Sequence, residues 1–270
     1  MNDSHSNFNV SVILPIFNSF NYVEVAIDSV LSQTYPISEV IVIDDGSTDG
    51  SAILIKNKYP EDIVKVFSIK NVGAAGARNY GISVAKFNWI AFIDSDDKWD
   101  LSKLDKQISV LKNFSEIKLL GCVTNMPHFK NKILSDDNIL IPISLNMLLF
   151  KNYFQTSTVI ISSKVLSELG GFPEGRRYAE EGDLFLRIAA KYKCMLINEV
   201  LVDYAGGKRG FGVSGLSSNI FSMEIGELNN IYRSFKRRDI DFYLFFLASL
   251  FSIIKFIRRF IIYIFNKVFF

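Results

Sequence analysis

Residues 10–18 read VSVILPIFN, and residues 40–51 read VIVIDDGSTDGS. Each stretch is a short run of mainly β-branched and aliphatic residues that gives way at once to turn or polar residues. This pattern is typical of a strand buried on both faces of a parallel sheet. Between them, residues 22–33 read YVEVAIDSVLSQ, which spaces apolar residues as an amphipathic helix does, and Tyr35-Pro36 then ends the helix. Strand, helix and strand in this order predict a βαβ unit.

The alternation continues as far as residue 93, with strands predicted at 64–68 and 89–93 and helices near 51–58 and 75–86. We therefore expect an α/β protein with an open, mostly parallel sheet flanked by helices, whose ligands bind at the carboxyl ends of the strands. Beyond residue 100 the periodicity weakens. The elements predicted there are helices over 101–113, 164–169 and 183–192 and strands at 118–124, 158–161 and 195–204. A glycine-rich loop is predicted over 206–218. It could close over a substrate, or it could be a flexible connection between two elements.

The composition excludes several classes of protein. The 270 residues carry 30 basic and 28 acidic side chains, and four of the cations lie in residues 242–270. The rest of the chain is therefore slightly acidic and lacks the basic surface of a nucleic-acid-binding protein. The sequence contains two histidines, His5 and His128, which argues against a histidine-based zinc site or a Ser-His-Asp triad. Carboxylates remain as the candidates for chemistry.

The cysteines and the N-terminus predict a reducing location. Cys122 and Cys194 lie far apart in apolar surroundings and fit neither a metal-site spacing nor a disulfide framework, so we expect buried thiols. The first ten residues, MNDSHSNFNV, lack the cationic start and apolar stretch of a secretory signal. We therefore expect the body of the protein to stay in the cytosol.

Two acids, Asp44 and Asp45, follow the second predicted strand directly. One interpretation is structural, because Asp, Ser and Thr favour turns and helix caps. The other is functional, because a carboxylate at a strand end can accept hydrogen bonds from a ribose or a base. Two adjacent carboxylates are more than a cap requires.

The fourth predicted strand runs into Asp94-Ser95-Asp96-Asp97, three carboxylates in four residues. Like charges at this spacing repel one another, and a hard divalent cation removes that penalty. Mg²⁺ commonly binds through one or two carboxylates together with substrate phosphates. A solvated acidic turn that caps the following helix is the structural alternative.

Two further segments carry charge near the predicted edge of the sheet. In NVGAAGARNYG, at 71–81, small residues lead into a helix on which Arg78 could offer a planar fork to a phosphate or to neighbouring carboxylates. In EEGD, at 180–183, three acids begin an amphipathic helix, where the helix dipole favours them. Near a cleft, one of these acids could also serve as a general base.

Taken together, VSVILPIFN, VIDDGSTDGS, NVGAAGARNYG, WIAFIDSDDKW and AEEGDLFLRIA resemble, in order and spacing, the family-2 inverting glycosyltransferases with the GT-A fold. The resemblance covers roughly residues 10–205. It implies a Rossmann-like GT-A domain over 1–220, with a nucleotide-binding half at about 10–100 and an acceptor half at about 101–220. Residues 221–270 would form a helical segment that associates with membranes.

The resemblance also implies an activity. We expect transfer of a sugar from a nucleotide diphosphate sugar, UDP-linked, to an acceptor hydroxyl with inversion, assisted by Mg²⁺ or Mn²⁺. The acceptor would be a glycan or a lipid-linked molecule in the synthesis of bacterial cell-surface polysaccharide. Two rivals remain open: a polyprenyl-phosphate sugar transferase of the same fold, and a catalytically inactive membrane scaffold that binds nucleotide sugars.

Carried over by position, the resemblance implies roles for named side chains. Pro15 and Phe17 would border the base, Asp45 would bind it, and Asp96 would contact the metal as part of the family's DxD motif. Glu181 stands where the family has its base aspartate, and its extra methylene moves the carboxyl by about 1.5 Å. The residues implied to contact the donor are Pro15, Phe17, Asp45, Arg78, Asp94, Ser95 and Asp96, and the implied catalytic base is Glu181.

The C-terminal segment 242–270 is predicted to be an amphipathic helix lying in the membrane interface. We expect its cations to face anionic headgroups and to hold the protein at the cytoplasmic face of the membrane, as a peripheral or monotopic protein. A tilted spanning helix and a partner-binding helix are the alternatives. At helical spacing the polar stripe is Ala248, Ser252, Lys255, Arg259 and Asn266, with Arg258 at its margin. The apolar side is Phe246, Leu250, Ile253, Ile257, Phe260 and Ile264.

Overall fold

A computed structural model describes residues 8–126, 139–204 and 219–269. The predicted loop at 206–218 lies outside these residues. The strands are β1 Val10–Ile16, β2 Glu39–Asp44, β3 Val64–Ser68, β4 Trp89–Phe92, β5 Lys98–Trp99, β6 Ile117–Thr124, β7 Leu140–Ile143, β8 Ile160–Ser162 and β9 Lys193–Asp203. The helices are α1 Val23–Leu31, α2 Ser51–Lys58, α3 Gly73–Val84, α4 Lys103–Asn113, α5 Leu145–Phe150, α6 Ser163–Leu169, α7 Glu180–Lys191, α8 Ile220–Lys236 and α9 Phe242–Phe269.

The described strands form one sheet in the order β3-β2-β1-β4-β8-β6-β9-β5, with β7 paired to β9. The half built from β3, β2, β1 and β4 is parallel throughout, as the βαβ pattern predicted. The second half is mixed, because β8 runs antiparallel to both β4 and β6. The predicted α/β fold is confirmed, but the described sheet is mixed and not mostly parallel, with four parallel and four antiparallel strand pairs. Because β2, β1 and β4 are parallel neighbours, their carboxyl ends lie side by side.

The core occupies both faces of the sheet, which explains why β1 has no polar face. Successive side chains of a strand point to opposite faces. Val12 and Leu14 accordingly pack in one apolar cluster, and Ile13, between them, packs in the cluster on the other face. Cys122 and Cys194 are buried free thiols, as predicted.

The sequence did not predict β5, β7 or α5. β5 has only two residues, and α5 is a six-residue apolar stretch that hydrophobic periodicity cannot separate from a strand. Helix α5 begins after Ser144, whose Oγ accepts the backbone N–H of Met147 at 3.3 Å. α7 begins three residues before the predicted start at 183, so the acids at 180–183 all lie in its first turn.

Helices α8 and α9 pack together through an ionic seam that corrects one expectation. Arg259 donates to Glu224 at 2.7 Å and to Glu227 at 3.1 Å, and Lys255 lies 3.4 Å from Glu227. Ser252 also donates to Glu224 at 2.7 Å. The expectation that the cations of this stripe face lipid headgroups is therefore wrong for Lys255 and Arg259, because both pair with acids of α8.

With its polar stripe turned toward α8, α9 presents apolar side chains to the outside. We call these residues the α9 outer face, and their side chains are well exposed. Among the described helices, none has both the length and the apolar composition needed to cross a membrane. The α9 outer face comprises Phe246, Leu250, Ile253, Ile257 and Ile264.

Candidate active site

The candidate site lies where β1, β2 and β4 end, because their loops meet there. Asn18, after β1, has a left-handed backbone with φ of 50°, a conformation that asparagine tolerates better than most residues. Its side-chain oxygen accepts the N–H of Thr48 at 2.9 Å, and its own N–H donates to Ser47 Oγ at 3.0 Å. Ser19 and Ser95 join the first loop to the third, with their hydroxyls 2.9 Å apart.

Two of the predicted base-bordering residues stand at the end of β1. Phe17 is 54% exposed, a large fraction for an aromatic ring at the end of a buried strand. Pro15, two residues earlier, is partly buried. An exposed ring above a polar rim is suited to stacking against a planar group, which is the role predicted for it.

Asp45, which is predicted to bind the base, has a structural role in this fold. Its carboxylate is buried and accepts the backbone N–H groups of Val72 at 2.7 Å and Gly73 at 2.9 Å. These N–H groups begin α3 and have no partner within the helix, so Asp45 caps α3 from the neighbouring loop. Each carboxylate oxygen keeps a second lone pair, which leaves acceptor capacity for a ligand.

Arg78 reaches from α3 across the site and connects its two sides. Nη2 donates to Asp94 at 2.7 Å, and Nη1 donates to Glu180 at 3.4 Å. The guanidinium carbon also lies 5.3 Å from the centre of the Phe172 ring. Burial alone would lower the pKa of Arg78, but the carboxylates of Asp94 and Glu180 outweigh it and raise the pKa. Arg78 is therefore a permanent cation between two acids.

The acidic loop after β4 is held from beneath by Ser157, a residue that the sequence analysis missed. Ser157 Oγ accepts the N–H of Asp94 at 2.9 Å and donates to the carboxylate of Asp97. Asp97 is buried, whereas Asp96 is exposed. The three acids thus have different surroundings, and Asp96 is the one at the surface of the cleft.

The predicted base lies at the start of α7. Ala179, just before the helix, has a left-handed φ of 53°. Glu180 is buried against Arg78, while Glu181 is half-buried. Burial, reinforced by repulsion from Glu180, raises the pKa of Glu181 to about 7, although Arg78 opposes the shift. A carboxylate with this pKa can take a proton near neutral pH.

Tyr204, at the end of β9, is a second residue that the sequence analysis missed. Burial raises the pKa of its hydroxyl, and the charges of Asp94, Asp96 and Glu181 add to the effect. The hydroxyl therefore remains a donor at any physiological pH, within electrostatic range of both acidic groups. Neither Tyr204 nor Ser157 stands in a motif, and only the folded chain brings them to the site.

The donor set of the cleft suits a hard divalent cation. In the ranges that the structure describes, no three His, Cys, Asp or Glu side chains converge on one point. A metal at Asp96 would therefore take most of its ligands from water and a bound diphosphate, which is the usual arrangement for Mg²⁺. Only oxygen donors are offered, and these suit Mg²⁺ or Mn²⁺.

Comparison with known proteins identifies the family. The profile of Glycosyl transferase family 2 matches residues 11–159, more than half of the chain. The chain belongs to glycosyl transferase family 2. The relative WfaP of Escherichia coli, named UDP-Glc:alpha-D-GlcNAc-diphosphoundecaprenol beta-1,3-glucosyltransferase, is 41% identical over 106 residues, 38% of this chain and 41% of WfaP. The chain thus spans less than half the length of that curated relative.

Two solved structures share the GT-A fold of this family-2 chain. S. aureus TarS 1-349 in complex with UDP-GlcNAc superposes with a TM-score of 0.68 at 19% identity, over 89% of this chain and 70% of that one. The mannosyltransferase PcManGT from Pyrobaculum calidifontis, in complex with GDP-Man and Mn²⁺, gives 0.70 at 20% identity, over 93% and 74%. At these identities the likeness establishes the fold.

Replacing Arg78 should destabilise this family-2 domain. Arg78→Met leaves the Asp94 and Glu180 carboxylates without their cation, so we expect the free energy of unfolding to fall by about 3 kcal/mol at pH 7. Urea unfolding at pH 7 measures the loss, and Arg78→Lys, which keeps the charge, should lose less. An unchanged free energy of unfolding in Arg78→Met would contradict this account.

Proposed function

We propose that this chain transfers a sugar from a nucleotide diphosphate sugar to an acceptor hydroxyl, with inversion, in the synthesis of bacterial cell-surface glycan. The observation that carries the proposal is the Arg78 bridge between Asp94, in the acidic loop after β4, and Glu180, at the start of α7. The bridge joins the loop proposed to bind the donor to the helix start that carries the proposed base, and a single displacement would need the two on facing sides. Donor and acceptor would react between them.

The donor would be UDP-linked and would occupy the cleft between the loops after β1, β2 and β4. Phe17 and Pro15 would border the base, and Asp45 would accept a hydrogen bond from it. Arg78, Asp94 and Ser95 would lie along the diphosphate and the sugar. The UDP-GlcNAc bound by TarS, which shares the fold, supports a UDP donor here.

Asp96 would hold Mg²⁺ or Mn²⁺ at the cleft. When bound, such an ion supplies Lewis-acid stabilisation of the departing diphosphate. The exposure of Asp96 at the cleft favours it as the ligand. The Mn²⁺ present with GDP-Man in PcManGT supports the same chemistry.

Glu181 would act as the base. In one in-line step, the acceptor oxygen forms a bond to the anomeric carbon, the bond from that carbon to the diphosphate oxygen breaks, and the acceptor proton passes to Glu181. No covalent intermediate is required. The half-buried position of Glu181 and its pKa near 7 suit proton removal from a hydroxyl.

The α9 outer face would lie against the cytoplasmic surface of a membrane. Its exposed aliphatic and aromatic side chains would enter the boundary between headgroups and acyl chains. The cations Lys255 and Arg259 would contribute little to anionic-lipid attraction, because they are paired with α8. A glycan or lipid-linked acceptor would then be available to the cleft.

The metal assignment predicts the effect of Asp96→Asn. This change removes the anionic ligand at an exposed position, so turnover should fall at least 100-fold while the fold survives. Release of UDP from a UDP-sugar, titrated with Mn²⁺, measures the effect. Asp62→Asn changes another exposed acid, in a different loop, and as the control it should behave as wild type. Full turnover by the wild type in excess chelator would contradict the metal assignment.

The base assignment predicts a pH dependence. A base must be deprotonated, so kcat/KM should fall about tenfold per pH unit below about 7. Glu181→Gln should lower kcat by ~100-fold or more at unchanged donor affinity. The charged or titratable groups that influence Glu181 are Glu180, Arg78, Asp94, Arg176 and Tyr204.

Other outcomes for these acids have distinct meanings. Greater damage from Glu180→Gln than from Glu181→Gln, at equal thermal stability, would show that the base is Glu180. If neither change matters, a lipid-phosphate acceptor that needs no strong base becomes the better interpretation. If no nucleotide sugar is turned over although one binds, the inactive scaffold is favoured.

The membrane assignment predicts that acidic residues on the α9 outer face abolish binding. Phe246→Glu with Ile257→Glu should prevent sedimentation with phosphatidylglycerol vesicles, because burying these charges is costly. Ile53→Glu, at a 67% exposed position on α2, is the control and should bind normally. Binding should depend weakly on salt, since the seam cations are already paired. Continued sedimentation of the double variant would contradict membrane binding through the α9 outer face. A tag placed after Phe270 and found on the opposite side of the membrane would indicate a spanning helix.

A further inference from the structure

The buried side-chain amide of Asn230, on α8, contacts the chain on both sides of Glu180 and Glu181. Asn230 Nδ2 donates to the carbonyl of Ala179 at 2.8 Å. The same nitrogen lies 2.8 Å from the position that a Cβ on Gly182 would take. Asn230 therefore touches the chain immediately before Glu180 and immediately after Glu181. A side chain at residue 182 would collide with it.

The amide of Asn230 is itself fixed by Arg176. Arg176 Nη1 donates to Asn230 Oδ1 at 2.7 Å, which assigns the amide orientation and points Nδ2 at Ala179. Nη2 of the same guanidinium donates to the carbonyl of Gly226 at 3.0 Å, one turn earlier on α8. Arg176 thus binds α8 to the loop that leads into the acids.

Gly226 allows α8 to approach this loop at backbone distance. A Cβ at residue 226 would stand 2.8 Å from the carbonyl oxygen of Tyr178 and 3.0 Å from the Ala179 Cβ. Any larger residue would therefore push the helix away from Tyr178 and Ala179. Only glycine lets the Asn230 amide reach the Ala179 carbonyl at the observed distance.

The residue clamped in this way has a strained backbone. Ala179 has a φ of 53°, in the left-handed region that residues with a Cβ rarely adopt. Strained residues of this kind persist where the surroundings determine them. The backbone direction at residue 179 sets where α7 begins, and so sets where the carboxylate of Glu181 lies relative to Asp94.

We propose that Asn230, with Gly226, positions Glu181 by holding the left-handed turn at Ala179. Helix α8 would thus help to set the geometry of the active site. The inference rests on the proposed role of Glu181 as the base. α8 lies outside the residues 11–159 that match the family profile, and it is joined to α9 by the ionic seam. α8, which packs against the helix that carries the proposed membrane face, is thereby in contact with the segment that carries the base.

The test is a double-mutant cycle between Asn230 and Glu181. Asn230→Ala should lower kcat by about 10- to 100-fold, the effect of a misplacement near 1 Å, with the KM for the donor within about twofold. In the Glu181→Gln background the same change should have almost no further effect. Asn229→Ala, an exposed neighbour on α8, is the matched control and should leave kcat unchanged.

A second variant separates positioning from stability. Asn230→Leu keeps the size of the side chain and adds no charge near Glu181, but it cannot donate to the Ala179 carbonyl, so it should be as slow as Asn230→Ala. If thermal unfolding shows that Asn230→Ala does not fold, Asn230→Leu replaces it in the cycle.

The outcomes distinguish this inference from the function on which it rests. An equal loss of kcat from Asn230→Ala in both backgrounds would overturn the positioning role, because the effect would not pass through Glu181. Wild-type kcat in folded Asn230→Ala, alongside an inactive Glu181→Gln, would also overturn it. Full activity of Glu181→Gln would instead show that the base assignment itself had failed, and the positioning role with it.

Discussion

The Arg78 guanidinium joins the two sides of the domain, and the geometry of the cleft depends on it. One side of this group holds Asp94, at the end of a parallel strand, and the other holds Glu180, at the start of α7. Without an intervening cation, the buried Glu180 carboxylate and the partly buried Asp94 carboxylate would repel each other. The spacing between the acidic loop and the start of α7 is therefore set by one ion pair on each side of a buried guanidinium.

Around this junction, the remaining polar contacts act as supports. Asp45 caps α3 and so fixes the helix from which Arg78 projects. Ser157 supports the acidic loop through Asp94 and Asp97. Asn230 holds the turn before Glu180. Each support comes from a different part of the chain, which explains why the site needs both the parallel and the mixed halves of the sheet.

Much of this arrangement could be predicted from sequence, and the reasons are specific. The parallel half follows from buried runs such as 10–14, and the rule that parallel strands end at one edge brings Asp45, Arg78 and Asp94 together. Ser157, Tyr204 and Asn230 could not be predicted, because their roles arise from tertiary contacts with no local pattern. The sequence also could not show that the cations of the α9 polar stripe pair with acids of α8, because that pairing is a tertiary contact too. A helical wheel shows which residues share a side, but it does not show whether water, lipid or another helix covers that side.

The proposed function requires turnover of a nucleotide sugar. To test this, the 270-residue chain is incubated with a panel of UDP-, GDP- and dTDP-sugars, each with Mn²⁺ or with excess chelator, and release of the nucleoside diphosphate is followed. We predict release from at least one UDP-sugar that requires the metal. Release that is equally fast in chelator would contradict the metal-assisted mechanism, and the absence of release from every donor, with a lipid-linked glycan acceptor present, would contradict the proposed function itself.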